Sequence, residues 1–232
     1  MRLARGIVVS CQGPPGTALD DPAVMVAMAR AAEQAGVVGI RAQGQADIRA
    51  IRAATTLPII GLLKRDIDGE RRITPSVADA ILVASAGADL VAVDLTNRPR
   101  PNGLTPRAFL AELSASVNVP IVADISTFEE GLEAARGGAA AVITTMSGYT
   151  SQSRHLKGPD LELISELVQA VSVPVIGEGR YRTEEQVEEA FSRGAHAVVI
   201  GTAITNPLQI TKWFVGAYRA SISRATGPLA HR

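Results

Sequence analysis

Residues 173–178, Val-Pro-Val-Ile-Gly-Glu, contain the pattern that decides the fold, because the chain repeats their first half. Apolar runs of the same form, each led by a proline, occur at 57–60 (Leu-Pro-Ile-Ile) and at 119–122 (Val-Pro-Ile-Val). A proline at the start of a strand removes no hydrogen-bond donor that the sheet needs. The repeat predicts three related β-strands.

A second form of strand alternates with the first. Four times a glycine that closes a helix leads into an apolar run, at Gly36, Gly87, Gly138 and Gly194. With residues 6–12 as the first strand the chain has eight strands, the number that closes a barrel. An open doubly wound sheet shows the same alternation, but no linker or change of composition divides this chain. We predict one α/β domain, a (β/α)8 TIM barrel over residues 1–232, with a frayed tail from about 221 to 232.

Local signals also predict where helices begin. Three sites place a capping side chain before a proline, and two have the spacing of a capping box. These sites are Asp21-Pro22, Thr74-Pro75, Thr105-Pro106, Thr127 with Glu130, and Thr183 with Gln186.

The composition excludes several classes of partner. The 23 basic and 23 acidic residues cancel, so no broad basic surface is available for nucleic acid or an anionic membrane. No apolar stretch approaches the roughly 18 to 20 residues of a membrane span, and we expect a cytoplasmic protein. The single cysteine forms no internal disulfide, and the three histidines lack metal-ligand spacing. We expect neither a metal nor a cofactor.

Polar residues follow the apolar runs, at the strand ends where such barrels carry their sites. They are Gln12, Arg41, Lys64, Asp94, Asp124, Thr145 and Glu178. Counted from the prolines of the three related strands, Lys64, Asp124 and Glu178 stand at even offsets and therefore on one face of their strands. If that face is the barrel interior, the three side chains share one pocket.

Lys64 ends the third strand and Glu178 the seventh, and these strands face each other across a ring of eight. Two opposed groups suit inversion at a carbon next to a carbonyl, because one removes a proton from one face and the other returns a proton to the opposite face. A base must spend time neutral, so we expect burial or a neighbouring cation, with Arg41 and Arg65 as candidates, to lower the pKa of Lys64.

Each of these residues also has a structural interpretation. The alternatives are a solvated loop for Lys64, a turn cap for Asp124, and buried hydrogen bonds or ion pairs for Gln12 and Arg41. Glu178 is harder to explain in this way, because glycines flank it and destabilise the chain unless the backbone must bend or approach another group closely. The convergence at strand ends favours function.

Two glycine-containing loops predict a phosphate site. Residues 177–180 follow the seventh strand and residues 201–204 the eighth, and these loops commonly bind phosphate in such barrels. The ligands that we select are Gly179, Arg180, Gly201 and Thr202. The expected partner is a phosphorylated small molecule.

Two further segments have two interpretations each. The polar loop over residues 147–159 either folds over the substrate or is an exposed connection. On the last helix Trp213, Phe214 and Tyr218 form a stripe that either packs on the barrel or joins subunits. We expect core packing for the stripe, and a homo-oligomer, with a dimer favoured, for the chain.

The sequence resembles the N-acetylmannosamine-6-phosphate 2-epimerase family from about Gly6 to Tyr218. The matching motifs are Ser10-Cys11-Gln12, Gly39-Ile40-Arg41-Ala42, Gly61-Leu62-Leu63-Lys64-Arg65-Asp66, Val93-Asp94-Leu95-Thr96, Ala123-Asp124-Ile125-Ser126-Thr127, Met146-Ser147-Gly148-Tyr149-Thr150, Glu178-Gly179-Arg180 and Ala203-Ile204-Thr205. The resemblance implies a phosphate-binding barrel that inverts C2 of N-acetylmannosamine 6-phosphate to give N-acetylglucosamine 6-phosphate. This step of sialic-acid breakdown uses no cofactor.

The resemblance also implies roles for individual residues. Lys64 and Glu178 would be the acid/base pair, and the sugar with its N-acetyl group would be held by Gln12, Arg41 and Asp124. The glycine loops would bind the phosphate.

Two residues depart from the family pattern. Asn206 stands where the family often has an arginine that reaches the phosphate, and Arg180 or Arg154 is the expected substitute. Gln43 replaces a usual asparagine.

Two other functions remain as alternatives. One is a lyase or synthase on the same barrel, which would not need a glutamate opposite the lysine. The other is a non-catalytic phosphosugar-binding protein, which only Asn206 supports.

Overall fold

The computed structural model describes residues 3–100 and 102–225. Eight parallel strands close into a barrel, so the predicted architecture is confirmed. The barrel strands, in their order around the ring, are β1 (Gly6–Cys11), β2 (Gly39–Gln43), β3 (Ile59–Leu62), β6 (Leu90–Asp94), β7 (Ile121–Asp124), β8 (Ala141–Ile143), β9 (Val175–Glu178) and β10 (Ala197–Ile200).

Helices connect these strands and pack around the barrel. They are α1 (Pro22–Gln34), α2 (Gln45–Ala54), α3 (Val77–Ser85), α4 (Pro106–Ser116), α5 (Phe128–Arg136), α6 (Leu161–Ala170), α7 (Glu184–Ser192), the short α8 (Thr202–Thr205) and α9 (Pro207–Ala225), with a 3-10 turn at Thr144–Met146. None of the described helices is long and apolar enough to cross a membrane.

Alternate residues along the barrel strands pack into two different apolar cores. Ile59 and Ala123 pack outward against the helices, whereas Ile60 and Val122 belong to a smaller cluster inside the barrel. Asp124 stands two residues after Val122, at an inward position of β7. Glu178 follows Ile176 of the inner cluster in the same way on β9. The even offsets therefore place both carboxylates above the inner core, as the sequence predicts.

Most of the local signals act as predicted. Asp21 and Thr105 cap α1 and α4, and both capping boxes are formed, at the starts of α5 and α7. The glycines that close helices have positive φ angles of 87°, 103°, 98° and 93°, at Gly36, Gly87, Gly138 and Gly194. Such left-handed residues end a helix and turn the chain into the next strand.

The predicted start of α3 at Thr74-Pro75 is wrong, because Thr74 belongs to a hairpin. Its N–H donates to the carbonyl of Leu63 at 2.6 Å, and its hydroxyl accepts from the N–H of Leu63 at 3.1 Å. Ser76 caps α3 instead, since its hydroxyl accepts from the N–H of Asp79.

That hairpin is an addition to the barrel that the sequence analysis did not predict. Its strands β4 (Lys64–Ile67) and β5 (Glu70–Ile73) pair antiparallel and follow β3 directly. Asp68 and Gly69 form the two-residue turn with φ angles of 51° and 78°. An Asp-Gly pair with two left-handed residues is typical of a hairpin turn, so the signal was present.

The described residues include only the first part of the predicted frayed tail. Residues 221–225 continue α9, and no glycine or proline interrupts the sequence between 217 and 225. Residues 226–232 lie outside the described residues.

Candidate active site

A cavity of about 1030 Å³ opens at the carboxyl ends of the barrel strands. Its wall includes the β4–β5 hairpin, the loop after β8 and part of α9. Among the described residues that line it are seven of the predicted site residues, namely Gln12, Lys64, Glu178, Gly179, Arg180, Gly201 and Thr202. The structure thus gathers residues from four strand ends into one site.

A buried ion-pair network supports this cavity. Arg41 grips Asp124 with both ends of its guanidinium, Nη1 to Oδ1 at 2.9 Å and Nη2 to Oδ2 at 2.8 Å. The Nη1 atom of Arg41 also donates to Oε2 of Glu178 at 2.6 Å. The Thr145 hydroxyl lies 2.6 Å from Asp124 Oδ1 and 3.0 Å from Glu178 Oε2. One guanidinium therefore holds two carboxylates.

The network changes the interpretation of Arg41 and Asp124. Their side chains are 1% and 0% exposed, and neither is among the residues that line the cavity. In these positions the two side chains are bonded to each other, and the Nε atom of Arg41 is buried without a hydrogen-bond partner among the described residues. Both residues are linked to the cavity by way of Glu178, Arg41 directly and Asp124 through Arg41 and Thr145.

Glu178 is fixed at its backbone and on one side of its carboxylate. The Thr144 hydroxyl bonds to both the N–H and the carbonyl of Glu178, at 3.0 and 3.1 Å. Oε2 accepts from Arg41 and Thr145, whereas Oε1 has no hydrogen bond to a described residue. Burial raises the pKa of Glu178 above its ordinary value against the opposing effect of Arg41, and Asp124 adds to the rise. A carboxyl group so tuned keeps its proton more readily than one in water.

The glycines on either side of Glu178 have the structural reason that the sequence predicts. Gly179 has a φ angle of +116°, which side-chain-bearing residues rarely adopt. A Cβ atom on Gly177 would collide with the hydroxyl of Tyr181. The backbone at Glu178 therefore both bends and packs closely.

Lys64 begins the hairpin strand β4 rather than ending a barrel strand, and its side chain still reaches the cavity. Burial lowers the pKa of Lys64 to about 8, and Arg41 is the next largest cause. Arg65, the other predicted cation, turns away and pairs with Asp79 at 2.8 Å. Lys64 is therefore neutral in part of the population near pH 8.

Gln12 presents an acceptor to the cavity. Its Nε2 donates to the Ser10 hydroxyl at 2.7 Å, and its Oε1 is buried without a hydrogen-bond partner among the described residues. Burying a carbonyl oxygen without a hydrogen-bond donor costs free energy. A ligand N–H or hydroxyl that donated to Oε1 would therefore stabilise the bound state.

The loop after β8 forms a wall of the cavity through residues 149–152. Arg180 fastens it, because its Nε donates to the Gly158 carbonyl at 2.8 Å and its Nη1 to the Ser147 carbonyl at 2.6 Å. Its guanidinium also lies 5.4 Å from the centroid of the Tyr149 ring. These contacts favour the interpretation that the loop covers the substrate. They also use the hydrogen-bond donors of Arg180 that would otherwise be available to a phosphate.

Arg154, the other expected substitute for the arginine absent at Asn206, is not among the residues that line the cavity. It forms ion pairs outside it, with Asp160, Glu162 and Glu166. Asn206 itself has a structural role, since its Oδ1 accepts from the N–H of Gln209 at 2.9 Å and caps α9. No phosphate-binding cation is thereby identified among the expected candidates.

The predicted catalytic and binding residues did not include three residues of the site. Thr145 was visible among the polar strand-end residues, and its hydroxyl joins the network. Arg182 and Trp213 both line the cavity, with the guanidinium carbon 4.5 Å from the indole centroid. Nothing local to either residue signals that contact.

The expected core packing of the aromatic stripe is wrong. Phe214 and Tyr218 are 72% and 65% exposed, whereas Trp213 is partly buried. Only the tryptophan turns toward the site.

No group of three or more His, Cys, Asp or Glu side chains within residues 3–100 and 102–225 is placed to hold a metal ion. The chemistry that this arrangement offers is proton transfer between an amine and a carboxyl group, with a guanidinium beneath both.

Comparisons with known proteins agree on one family. Residues 25–220 match the model of the NanE family, described as "Putative N-acetylmannosamine-6-phosphate epimerase". A relative from Caldanaerobacter subterraneus with the name "Putative N-acetylmannosamine-6-phosphate 2-epimerase" is 46% identical over 216 residues, which cover 92% of this chain and 91% of the relative. A relative of the same name from Cutibacterium acnes is 43% identical, with 94% and 95% covered. The solved structure of the N-acetylmannosamine-6-phosphate 2-epimerase from Clostridium perfringens superposes with a TM-score of 0.87 at 40% identity, over 93% and 94% of the two chains.

Proposed function

The chain belongs to the N-acetylmannosamine-6-phosphate epimerase family, and we propose that its cavity performs the family's reaction with Lys64 and Glu178 as the two proton-transfer groups. The enzyme inverts C2 of N-acetylmannosamine 6-phosphate and gives N-acetylglucosamine 6-phosphate, a step of sialic-acid breakdown. We also propose a cytoplasmic location, since the relatives carry the names of metabolic enzymes.

The observation that carries the mechanism is the pair of opposite pKa shifts. The pKa of Lys64 is lowered to about 8 while that of Glu178 is raised, so the amine loses and the carboxyl group keeps a proton more readily. Acid–base catalysis is most effective when both pKa values lie near the working pH. Each group would contribute on the order of 10² to 10⁴ in rate.

The chemical step needs the open-chain sugar, in which C2 lies next to the C1 aldehyde. Neutral Lys64 takes the C2 proton, and the electrons of the broken C–H bond move into the carbonyl to form an enolate. The protonated carboxyl group of Glu178 then gives its proton to the opposite face of C2, and the carbonyl re-forms. Lys64 ends as an ammonium group and Glu178 as a carboxylate, and solvent restores both for the next turnover.

The remaining residues position these two. The unpartnered Oε1 of Gln12 accepts a hydrogen bond from the N–H or a hydroxyl of the sugar. Arg41 and Asp124 keep the Glu178 carboxylate aimed at the cavity, and a direct contact of either with the sugar would require its side chain to move. Gly179, Arg180, Gly201 and Thr202 form the end of the cavity that receives the phosphate.

The reaction is tested by incubating the protein with N-acetylmannosamine 6-phosphate in D2O and following C2 by NMR. Wild-type protein should form the gluco epimer with deuterium at C2, without added metal or nucleotide. Lys64→Met should lose both exchange and inversion. Glu178→Gln should retain exchange of the C2 proton through Lys64 while losing inversion.

The Glu178 variant separates two mechanisms. If the lysine performed both proton transfers and the glutamate only opened the ring, Glu178→Gln would slow exchange and inversion equally. A wild-type enzyme that cleaved the sugar, or that bound it without any exchange, would instead support the lyase or the binding-protein alternative.

We also propose that the chain forms a homodimer through α9. The support is a face of that helix on which Phe214, Val215 and Tyr218 are exposed by 72%, 40% and 65%. Light scattering should give twice the monomer mass, and Phe214→Glu should halve it. Ile81→Glu, at an apolar residue of α3 that is 43% exposed, is the control and should leave the mass unchanged.

A further inference from the structure

The cations of the cavity differ in whether they already have partners. Among the described residues that line it, Arg71 pairs with Asp66, and Arg98 pairs with Asp94 and with Glu70. Arg180 uses its guanidinium on two carbonyl oxygens of the loop after β8. Lys64 belongs to the proton-transfer pair. Three of these four cations therefore already have partners in the protein, and the fourth has the proposed role in proton transfer.

Arg182 is different, because its guanidinium has neither a hydrogen bond nor an ion pair with a described residue. Its contact is with the face of the Trp213 ring, at 4.5 Å from the guanidinium carbon to the ring centroid. Stacking on a ring face stabilises a cation and leaves the N–H groups at the guanidinium edge free. The backbone beneath is anchored, since the N–H of Arg182 donates to Oε1 of Gln186 at 2.8 Å.

The position of Arg182 matches that of the phosphate. It lies in the loop after β9, the loop that also contributes Gly179, and the loop after β10 lies along the same cavity wall with Gly201 and Thr202. In barrels of this architecture the last two strand-end loops are the usual phosphate site. A free guanidinium edge fits a phosphate better than an ammonium, because two parallel N–H groups reach two oxygens.

We propose that Arg182 is the phosphate-binding cation of this enzyme, and that Trp213 positions its guanidinium. The inference rests on the proposed function for the identity of the phosphosugar. In this proposal the positive charge for the phosphate comes from the loop after β9. Asn206 carries no charge, and its side chain caps α9.

The kinetic test compares Arg182→Ala with wild type on N-acetylmannosamine 6-phosphate and on unphosphorylated N-acetylmannosamine. A charge-assisted hydrogen bond to phosphate predicts a KM for the phosphosugar that is about 10 to 100 times higher, with kcat within about twofold. The low kcat/KM for the unphosphorylated sugar should not change, because that sugar has no group for Arg182 to bind.

Two further variants refine the test. Arg107→Ala removes an exposed arginine of α4 that is not among the residues lining the cavity, and it should match wild type on both sugars. Trp213→Leu should raise the KM for the phosphosugar by about two- to fivefold and leave the unphosphorylated sugar unaffected, since an exposed cation–π contact contributes little. A loss that is equal for both sugars, or an unchanged KM in Arg182→Ala, would overturn the proposal.

Binding of inorganic phosphate tests the residue independently of turnover. It is followed by 31P line broadening and by the emission of Trp213, the only tryptophan in the sequence. Arg182→Ala should weaken binding at least tenfold relative to wild type and Arg107→Ala, and equal binding would refute the role of Arg182. If wild type bound phosphate but failed to epimerise the sugar, the proposed function would fail while the phosphate result still decided the role of Arg182.

Discussion

Arg41 and Asp124 form a two-pronged ion pair beneath the cavity, with Nη1–Oδ1 and Nη2–Oδ2 distances of 2.9 and 2.8 Å, and the same guanidinium reaches Glu178. Strands β2 and β7 are not neighbours in the ring, so this pair spans the barrel. It ties Glu178, the proposed proton-transfer group, to the opposite side of the barrel.

The Arg41→Met variant should lose about 3 to 5 kcal/mol of unfolding free energy, because it leaves two carboxylates buried without their cation. Urea denaturation followed by circular dichroism measures the loss. Arg193→Met is the matched control, since its ion pair with Glu189 is exposed and should contribute less than about 1 kcal/mol. Equal losses in the two variants would show that the network is not a structural support.

In the proposed mechanism the kcat/KM of the wild-type enzyme should have a bell-shaped dependence on pH. The falling limb arises because Glu178 must be protonated, and the rising limb arises because Lys64, whose pKa is lowered to about 8, acts as a base only when neutral. A profile of kcat/KM between pH 6 and 9 measures the rising limb. In Lys64→Arg the limb should disappear and the rate fall by at least about 10²-fold, since the guanidinium stays protonated. A rising limb that persists in the variant would assign it to another group.

Replacing Lys64 by Met should stabilise the fold at pH 7, in contrast to most substitutions of polar residues. A lysine whose pKa falls to about 8 in the folded state is protonated more readily in the unfolded chain, so its charge disfavours folding below pH 8. Wild-type stability should therefore rise between about pH 8 and pH 10, the window between the folded and unfolded pKa values. At pH 7 the variant should gain on the order of 3 kcal/mol of unfolding free energy by urea denaturation, and a loss of stability would refute this account.

Thr145→Val removes a hydroxyl whose hydrogen bond favours the ionised form of Glu178. The pKa of Glu178 should move still higher, and inversion should slow several-fold with little change in KM, because the carboxyl group is less well held. The pKa is measured by 13C NMR of the labelled carboxyl group. Thr150→Val is the control, since its hydroxyl bonds to Ser126 instead of the network. A shift of the same size in the control would show that Thr145 has no specific role.

Gly177→Ala should cost about 1 to 3 kcal/mol of stability and reduce kcat, because its new methyl group would displace Tyr181 beside Glu178. Gly36→Ala offers a comparison in which no atom lies within 4 Å of the new methyl group, so only the strain of its φ of 87° is added. Thermal melting with activity assays separates the two effects. Retention of full kcat in Gly177→Ala would show that Glu178 tolerates movement of its backbone.

The barrel could be predicted from local sequence patterns, because each pattern depends on the conformation of only a few neighbouring residues. Proline-led apolar runs mark strand starts, and Gly36 or Gly194 marks a helix end that needs a left-handed residue. The inward placement of Asp124 and Glu178 follows from the two-residue period of a strand. The hairpin was not predicted, although the Asp68-Gly69 pair is typical of a hairpin turn.

The site was predicted less completely, because its contacts join residues far apart in the chain. Sequence positions put Arg41, Asp124 and Lys64 at the same end of the barrel, but they do not say which of them face the cavity. Arg180 and Arg154 were expected to bind phosphate, and the structure engages one with carbonyl oxygens and the other with three carboxylates.

The sequence by itself determined the alternation of strands and helices, the eight-stranded ring and the strand-end position of Glu178. Only the tertiary structure decided that Arg41 and Asp124 pair beneath the cavity, and that Arg182 stacks on Trp213 at its wall. The physical reason is that periodicity and capping depend on neighbours within a few residues. Ion pairing and stacking depend on the distance and direction between side chains that meet only when the barrel closes.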